Sequence, residues 1–183
     1  IVDMQPSEAM KAFAEGQGDA IALWAPQTFE AEKLGLKTIA HSSDCNARQP
    51  ILLVANMDYA NKHKGDIVAF LRVYLRSVDM MKKTPAEDLA DDYMRFYNAW
   101  TGKAMTREEA IRDIKDHPVY ALDQQLAMFK QSYGTSELRE WLHDIVSFQN
   151  ETGELDRRDL ARLERLHYVT DIYLKAVKEP AKK

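Results

Sequence analysis

The fold prediction depends most on the stretch GQGDAIALWAPQTF, which runs from Gly16 to Phe29. Asp19 follows two glycines, and an uncharged run of small and apolar residues then ends on Trp24, two residues before Pro26. Such a run is typical of a strand that is covered on both faces of a sheet. A buried strand has no need of a tryptophan–proline corner, but a ligand pocket often has one. We therefore predict a strand at residues 19–24 whose carboxyl end, where ligands bind in open α/β sheets, borders a binding site.

The segments on either side of this strand alternate between strand and helix patterns. A polar loop at residues 41–49 is the best candidate for a domain boundary. Alternation at this short spacing is typical of a parallel or mixed sheet, so we expect an α/β fold class for this part of the chain. The further predicted strands are residues 1–4, 36–40 and 50–56, and the predicted helices are residues 6–16 and 26–35.

The rest of the chain, from Met57 onward, has the patterns of a mainly helical region. Residues 65–84 carry apolar side chains at a spacing of 3.6 residues, which predicts one long amphipathic helix. The next helix is expected to start at Pro85 and end at Gly102. Thr106 and Glu109 have the spacing of a capping box at the start of another. Further helices are predicted within residues 122–134, 136–153 and 167–177.

Composition narrows the classes of function. The 183 residues are 45% hydrophobic and 30% charged, which is typical of a soluble globular protein. The net charge of −4 argues against a nucleic-acid partner, whose binding depends on neutralising phosphates. No apolar run reaches the roughly 18 residues of a membrane span, so we expect no direct membrane insertion. A single cysteine, Cys45, excludes an internal disulfide and a multi-cysteine metal site.

The chain starts on IVDMQP, with neither an initiator methionine nor a signal segment. Residues 1–4 have the pattern of a strand that is already under way. We expect a fragment or a processed chain, and the lack of a signal segment is therefore no evidence for the cytoplasm.

Four segments in order resemble one family of proteins. They are MQPSEAMKAFAEGQGDAIALWAP, ILLVANMDYANKHKGDIVAFLRVYLRSVDMM, WLHDIVSFQNETGELDR and HYVTDIYLKA. The chain resembles the periplasmic solute-binding proteins of ABC importers for taurine, alkanesulfonates and nitrate, and the related group that binds thiamine-type pyrimidine precursors. The resemblance implies part of a type II periplasmic binding protein, in which two α/β lobes close around a solute like a hinge.

The same resemblance implies how the chain is divided. Residues 1–49 would be the latter part of the second lobe, residues 50–56 a hinge-crossing strand, and residues 57–183 the mainly helical returning half of the first lobe. The family's N-terminal part has no counterpart in the sequence. The implied partners are a small solute and the membrane permease of the importer. The implied location is periplasmic, or extracellular with a lipid anchor.

Trp24 is the strongest candidate for a ligand contact, because the resemblance makes it face the cleft. Its ring offers a large rigid surface and one N–H donor, which suits a sulfonate or nitrate oxygen. The alternative is that Trp24 only caps the core of the lobe. Asp19 is a weaker candidate because it lies at the opposite end of the strand, where an aspartate capping a turn is the more common case.

Gln5 and Pro6 open a helix, whose free backbone N–H groups suit an oxyanion, although a helix start without a ligand fits them equally well. Cys45 is either an inert small residue or, by its family position, one that lines the cleft. Asn46 lies in the same polar loop, at the implied junction of the lobes. Tyr120 precedes a helix where the family chain returns towards the hinge, with packing as the alternative. We assign no metal and no cofactor to these residues.

No arrangement of residues typical of catalysis is present in the sequence, so we expect a binding protein rather than an enzyme. Two alternatives remain. One is an enzyme or precursor-binding protein of thiamine pyrimidine metabolism on the same fold, although its fungal enzymes use a cysteine-rich motif that this chain lacks. The other is a helical adaptor, which would leave the strand ending at Trp24 unexplained.

Overall fold

A computed structural model describes the chain except for residues 46, 49, 133, 157, 160, 162–168 and 179–183. Over the described residues the structure is mainly helical, with a short 3-10 helix at Ser42–Cys45. The α-helices are Pro6–Ala14 (α1), Gln27–Lys33 (α2), Met57–Lys62 (α3), Lys64–Lys83 (α4), Ala86–Thr101 (α5), Arg107–Asp116 (α6), Leu122–Met128 (α7), Glu137–Glu151 (α8) and Ile172–Val177 (α9). None of these helices is long and apolar enough to cross a membrane.

The helix boundaries follow local signals in the sequence. Gly102 ends α5 with a φ of 70°, in the left-handed region where glycine has no steric penalty. The Thr106 hydroxyl accepts a hydrogen bond from the Glu109 backbone N–H, and the Glu109 carboxylate accepts one from the Thr106 N–H, so the predicted capping box of α6 is present. The predicted helix after residue 122 ends early, at Met128.

The predicted strands are absent from the described residues. Residues 1–4, 20–24, 36–40 and 50–56 carry no regular secondary structure, and the one β-bridge described joins Ser132 to Thr135. Large apolar side chains of these segments are exposed, among them Ile51 at 93% and Val54 at 92%. A strand is completed only by the backbone of a neighbouring strand, and these segments have none in the structure. The mixed sheet therefore stays unconfirmed.

The chain divides into two compact units, and the first combines Ile1–Cys45 with Thr84–Pro118. Its core lies between α5 and α6, where Ala90, Met105 and Ala110 are buried. Around them pack the partly buried side chains of Tyr93, Met94, Tyr97 and Ile111. Alanines at the centre of this contact let the two helices approach closely, while the larger side chains close its edges.

The second unit combines Asn46–Lys83 with Val119–Lys183. Leu71 and Leu75 of α4 and Leu174 of α9 form its buried core. Partly buried side chains of α4, α7, α9 and the residue after α7 surround it, namely Ile67, Leu122, Leu126, Phe129, Tyr173 and Val177. The division after Cys45 falls inside the polar loop, while residues 84–118 join the first unit. The assignment of segments to lobes, which came from the resemblance, stays a prediction.

Candidate functional site

The Trp24–Pro26 corner leads directly into α2. The Thr28 backbone N–H donates to the Trp24 carbonyl oxygen at 3.4 Å, and the Phe29 N–H donates to the Pro26 carbonyl oxygen at 3.0 Å. The Phe29 side chain is buried, whereas Trp24 is 63% exposed. The first turn of α2 thus anchors the backbone of the corner and leaves the indole ring open to solvent, as a ligand contact requires.

Gln27, directly after the corner, is a candidate that the sequence analysis missed. Its side-chain oxygen is buried and has no hydrogen-bond partner in the described part of the chain. An unpaired buried amide group costs free energy, and an incoming ligand can recover that cost by donating a hydrogen bond to it. A glutamine at the first position of a helix is common, so the sequence held no signal for this feature.

Charged pairs attach α2 to the α5–α6 hairpin. Arg112 of α6 holds both carboxylate oxygens of Glu32, at 2.6 and 2.9 Å. The Lys33 ammonium lies 2.5 Å from the Glu109 carboxylate, and Lys103 lies 3.3 Å from Glu30. Three cations therefore fix one seven-residue helix to its neighbours, and with it the corner that precedes it.

Arg112 also contacts an aromatic ring of α2. Its guanidinium lies 5.0 Å from the centre of the Phe29 ring, within the range of a cation–π interaction. The hydrogen bonds from Arg112 lower the pKa of the Glu32 carboxyl, and Glu32 raises the pKa of Arg112. The hydrogen bond from Lys33 similarly lowers the pKa of Glu109. Both carboxylates are therefore held in their charged forms.

Gln5, Pro6 and Asp19 lie in the same unit as Trp24. Gln5 precedes α1 without capping it through its side chain, and its carbonyl oxygen accepts the N–H of Glu8 at 2.9 Å. Asp19 is exposed, and no hydrogen bond of its carboxylate to another described residue is seen. The turn-capping role considered for Asp19 is thus not observed in this part of the structure.

Three candidates remain, namely Cys45, Asn46 and Tyr120. Cys45 is exposed, and its Sγ lies 3.3 Å from the Ser42 carbonyl oxygen. Tyr120 belongs to the second unit, and its carbonyl oxygen accepts the Gln125 side-chain amide at 2.6 Å. Asn46 lies outside the described residues. Within the described ranges no group of three or more histidine, cysteine or acidic side chains could hold a metal ion.

Comparison with known proteins shows which family part of this chain is similar to. Residues 1–88, which include the Trp24 corner and α2, match the family described as NMT1/THI5 like. No solved structure matches the chain.

Two curated relatives match a larger part of the chain. A candidate aliphatic sulfonates-binding protein of Bacillus subtilis (strain 168) is 25% identical over 133 residues, covering 71% of this chain and 40% of the relative. A candidate ABC transporter periplasmic binding protein of Brachyspira hyodysenteriae (strain ATCC 49526 / WA1) is 25% identical over 118 residues, covering 64% of this chain and 34% of the relative. The chain thus spans well under half the length of these relatives.

These matches confirm the predicted resemblance to the binding proteins of ABC importers. More particularly, residues 1–88 are similar to the NMT1/THI5-like family.

Proposed function

We propose that this chain is part of the substrate-binding component of an ABC importer, and that its solute is a small organic anion of the sulfonate type. The observation that supports this most is the exposed Trp24 ring on an anchored corner, inside the segment that matches the family. The sulfonate class is favoured by the name of the Bacillus subtilis relative. Taurine and nitrate are the other solutes suggested by the resemblance.

The proposed chemistry at the corner is recognition, with no bond made or broken. The flat face of Trp24 covers the apolar part of the solute, and its indole N–H donates to an anionic oxygen. Gln27, in the first turn of α2, accepts a hydrogen bond through its side-chain oxygen when the solute carries a donor, such as the ammonium group of taurine. The backbone N–H groups at the start of α1, from Gln5 to Ser7, are a second donor set for an oxyanion.

The less central candidates keep the roles that the resemblance implies. Asp19 lies at the edge of the same lobe, where it can pair with an ammonium group such as that of taurine. Cys45 and Asn46 line the cleft at the junction of the lobes, and Tyr120 reaches it from the returning half. Their placement relative to Trp24 is part of the proposal.

Hinge closure is the proposed mechanism of capture. Residues 1–49 act as part of the second lobe, residues 50–56 cross the hinge, and residues 57–183 act as part of the first lobe. Solute that bridges the lobes raises the population of the closed form, which the membrane permease then recognises. The location that goes with this function is periplasmic, or extracellular with a lipid anchor.

Calorimetric titration of the full protein that contains this chain tests the proposal. The solutes are ethanesulfonate, taurine, nitrate and a thiamine-type pyrimidine. We expect a sulfonate to bind and Trp24→Ala to weaken it about tenfold or more, as expected when an anchoring tryptophan is lost. Trp24→Phe keeps the flat apolar face but loses the N–H donor, so it should weaken binding by less than Trp24→Ala does.

Trp100→Ala is the matched control, because Trp100 is 80% exposed and lies on α5 of the same unit. Equal loss in Trp24→Ala and Trp100→Ala, or no loss in either, would rule out the corner as the site. Tight binding of the pyrimidine alone would favour the alternative function in thiamine pyrimidine metabolism. Binding of no solute in the panel would count against the importer function.

A further inference from the structure

The second unit contains a cavity of about 820 Å³ at the junction of α7, the start of α8 and the approach to α9. Ligand pockets commonly measure about 300–1,000 Å³, so a small molecule fits. One part of its wall is apolar and is formed by Leu126, Phe129 and Val169. These side chains are only partly buried by the rest of the chain, so they offer apolar surface to a ligand.

The other part of the wall is cationic. Its lining contains four cationic side chains and one carboxylate, that of Asp171. The cationic side chains are those of Lys130, Arg139, Lys175 and Lys178. Asp171 is already paired with Lys175 at 2.7 Å. The side chains of Lys130, Arg139 and Lys178 have no acidic partner among the residues that the structure describes. Unpaired cations beside an apolar wall attract an anion and disfavour a cation.

The start of α8 adds to the positive potential on this side. Ser136, which is buried, caps this 15-residue helix and lines the cavity. The first N–H groups of a helix have no intrahelical partner and carry partial positive charge. A smaller adjoining cavity shares Lys130 and Ser136 but is lined by Glu137 and Glu140. Those carboxylates repel an anion, so the anionic head belongs in the larger cavity.

We propose that this cavity binds a small amphipathic organic anion. Its charged head lies against Lys130, Arg139 and Lys178, and its hydrocarbon tail covers Leu126, Phe129 and Val169. The site is in the second unit and uses none of the residues around Trp24, so it stands independently of the proposed importer function.

The proposal is tested by titrating the full chain with three probes that separate charge from apolar area. Octanoate has both features, acetate has the head without the tail, and octylammonium has the tail with the opposite charge. Binding is measured by calorimetry at low ionic strength and located by the NMR amide shifts of Phe129, Ser136 and Val169. We expect octanoate to shift the resonances of these amides. It should also bind at least about tenfold more tightly than either of the other two probes, because its tail and its head each contribute to the affinity.

Variants then test the residues. Lys130→Gln/Arg139→Gln should weaken octanoate by about tenfold or more, since two charge-assisted contacts are lost. The matched control is Lys62→Gln/Arg76→Gln, which removes the same charge from exposed positions of the same unit that do not line the cavity. Thermal melting of both variants checks that they fold.

The inference fails if octanoate binds equally to the cavity and control variants, if octylammonium shifts the same amides, or if no probe shifts them. Trp24→Ala should leave octanoate binding at this site unchanged. The cavity proposal is tested with octanoate, whereas the importer function is tested with sulfonates at the Trp24–Pro26 corner. Failure of one proposal can therefore be distinguished from failure of the other.

Discussion

Tyr93 of α5 donates a hydrogen bond from its hydroxyl to the carboxylate of Asp113 on α6, and Asp113 is only 6% exposed. Burial, together with this hydrogen bond, raises the pKa of Tyr93 well above its usual value of 10. The other carboxylate oxygen of Asp113 has no hydrogen bond in the described structure. The Nδ1 atom of His117 lies 3.2 Å from it but lies closer, at 2.9 Å, to the Asp113 carbonyl oxygen. This buried carboxylate therefore depends on Tyr93.

Tyr93→Phe should lower the free energy of unfolding by about 1–3 kcal/mol, because it leaves a buried acceptor without its donor. Urea unfolding followed by circular dichroism measures the change. Tyr97→Phe is the control, since Tyr97 also packs on the α5–α6 core but has no hydroxyl partner among the described residues. If both variants lose the same stability, the hydroxyl of Tyr93 does not support Asp113.

Removing the charge of Arg112 should loosen α2. Arg112→Gln loses the paired contacts to Glu32 and the contact with the Phe29 ring. Both contacts are partly exposed, so we expect a cost of only about 0.5–1 kcal/mol. Arg95→Gln, which breaks a pair between neighbouring turns of α5 with Asp92, should cost less. Urea unfolding compares the two variants, and an equal or larger loss in Arg95→Gln would contradict the role of Arg112.

A fall in pH should lower the stability of the first unit, because it protonates carboxylates that form ion pairs there. The pKa values of Glu32 and Glu109 are held below the usual 4.5 by Arg112 and Lys33, and Lys115 does the same for Glu87. A lowered folded-state pKa gives stability that is present above the usual value and lost as the pH falls through the folded value. Melting temperature should therefore decline as the pH falls below 4.5.

The control for this prediction is Glu32→Gln/Glu109→Gln, which should be less stable near neutral pH and less sensitive to acid. An unchanged slope of melting temperature against pH in that variant would show that other carboxylates control the acid response.

Replacing either of two glycines by alanine should change the stability of the protein, but in opposite directions. Gly102→Ala should destabilise the protein by about 1–2 kcal/mol, because an L residue at a φ of 70° is strained although the space beside it is open. Gly65→Ala, near the start of α4, has ordinary helical backbone and open space, and should raise stability by up to about 1 kcal/mol. Thermal unfolding of both variants checks the signs, and a stabilising Gly102→Ala would contradict the left-handed assignment.

The described residues contain most of the predicted helices but leave the predicted strands unconfirmed, and the difference follows from where the hydrogen bonds are made. The signals around α5 and α6, namely Gly102 and the Thr106–Glu109 capping box, act within one turn of the chain. The strand predicted to end at Trp24 depends on a partner strand elsewhere, and the described residues supply none. A pattern of apolar residues indicates that a segment can be buried, but it does not provide the neighbour that buries it.

The candidate site was predictable only in part. Trp24 could be singled out from its corner and from the resemblance, and its exposure is compatible with that role. Gln27 could not be, because an unpaired buried amide is recognised only when every surrounding group has been placed. The cationic cavity was also missed, since Lys178 is far in sequence from Lys130 and Arg139, and all three look like ordinary surface charges there.

The sequence by itself determined the family resemblance, the order of the helices and where most of them end, because these depend on neighbouring residues and on short motifs. Only the tertiary structure decided that α2 is paired with α6, 80 residues away in the case of Arg112 and Glu32. It likewise placed Tyr93 against Asp113 and gathered Lys130, Arg139 and Lys178 beside an apolar wall. Such contacts join distant parts of the chain, and their geometry is set by how helices pack rather than by local conformational preference.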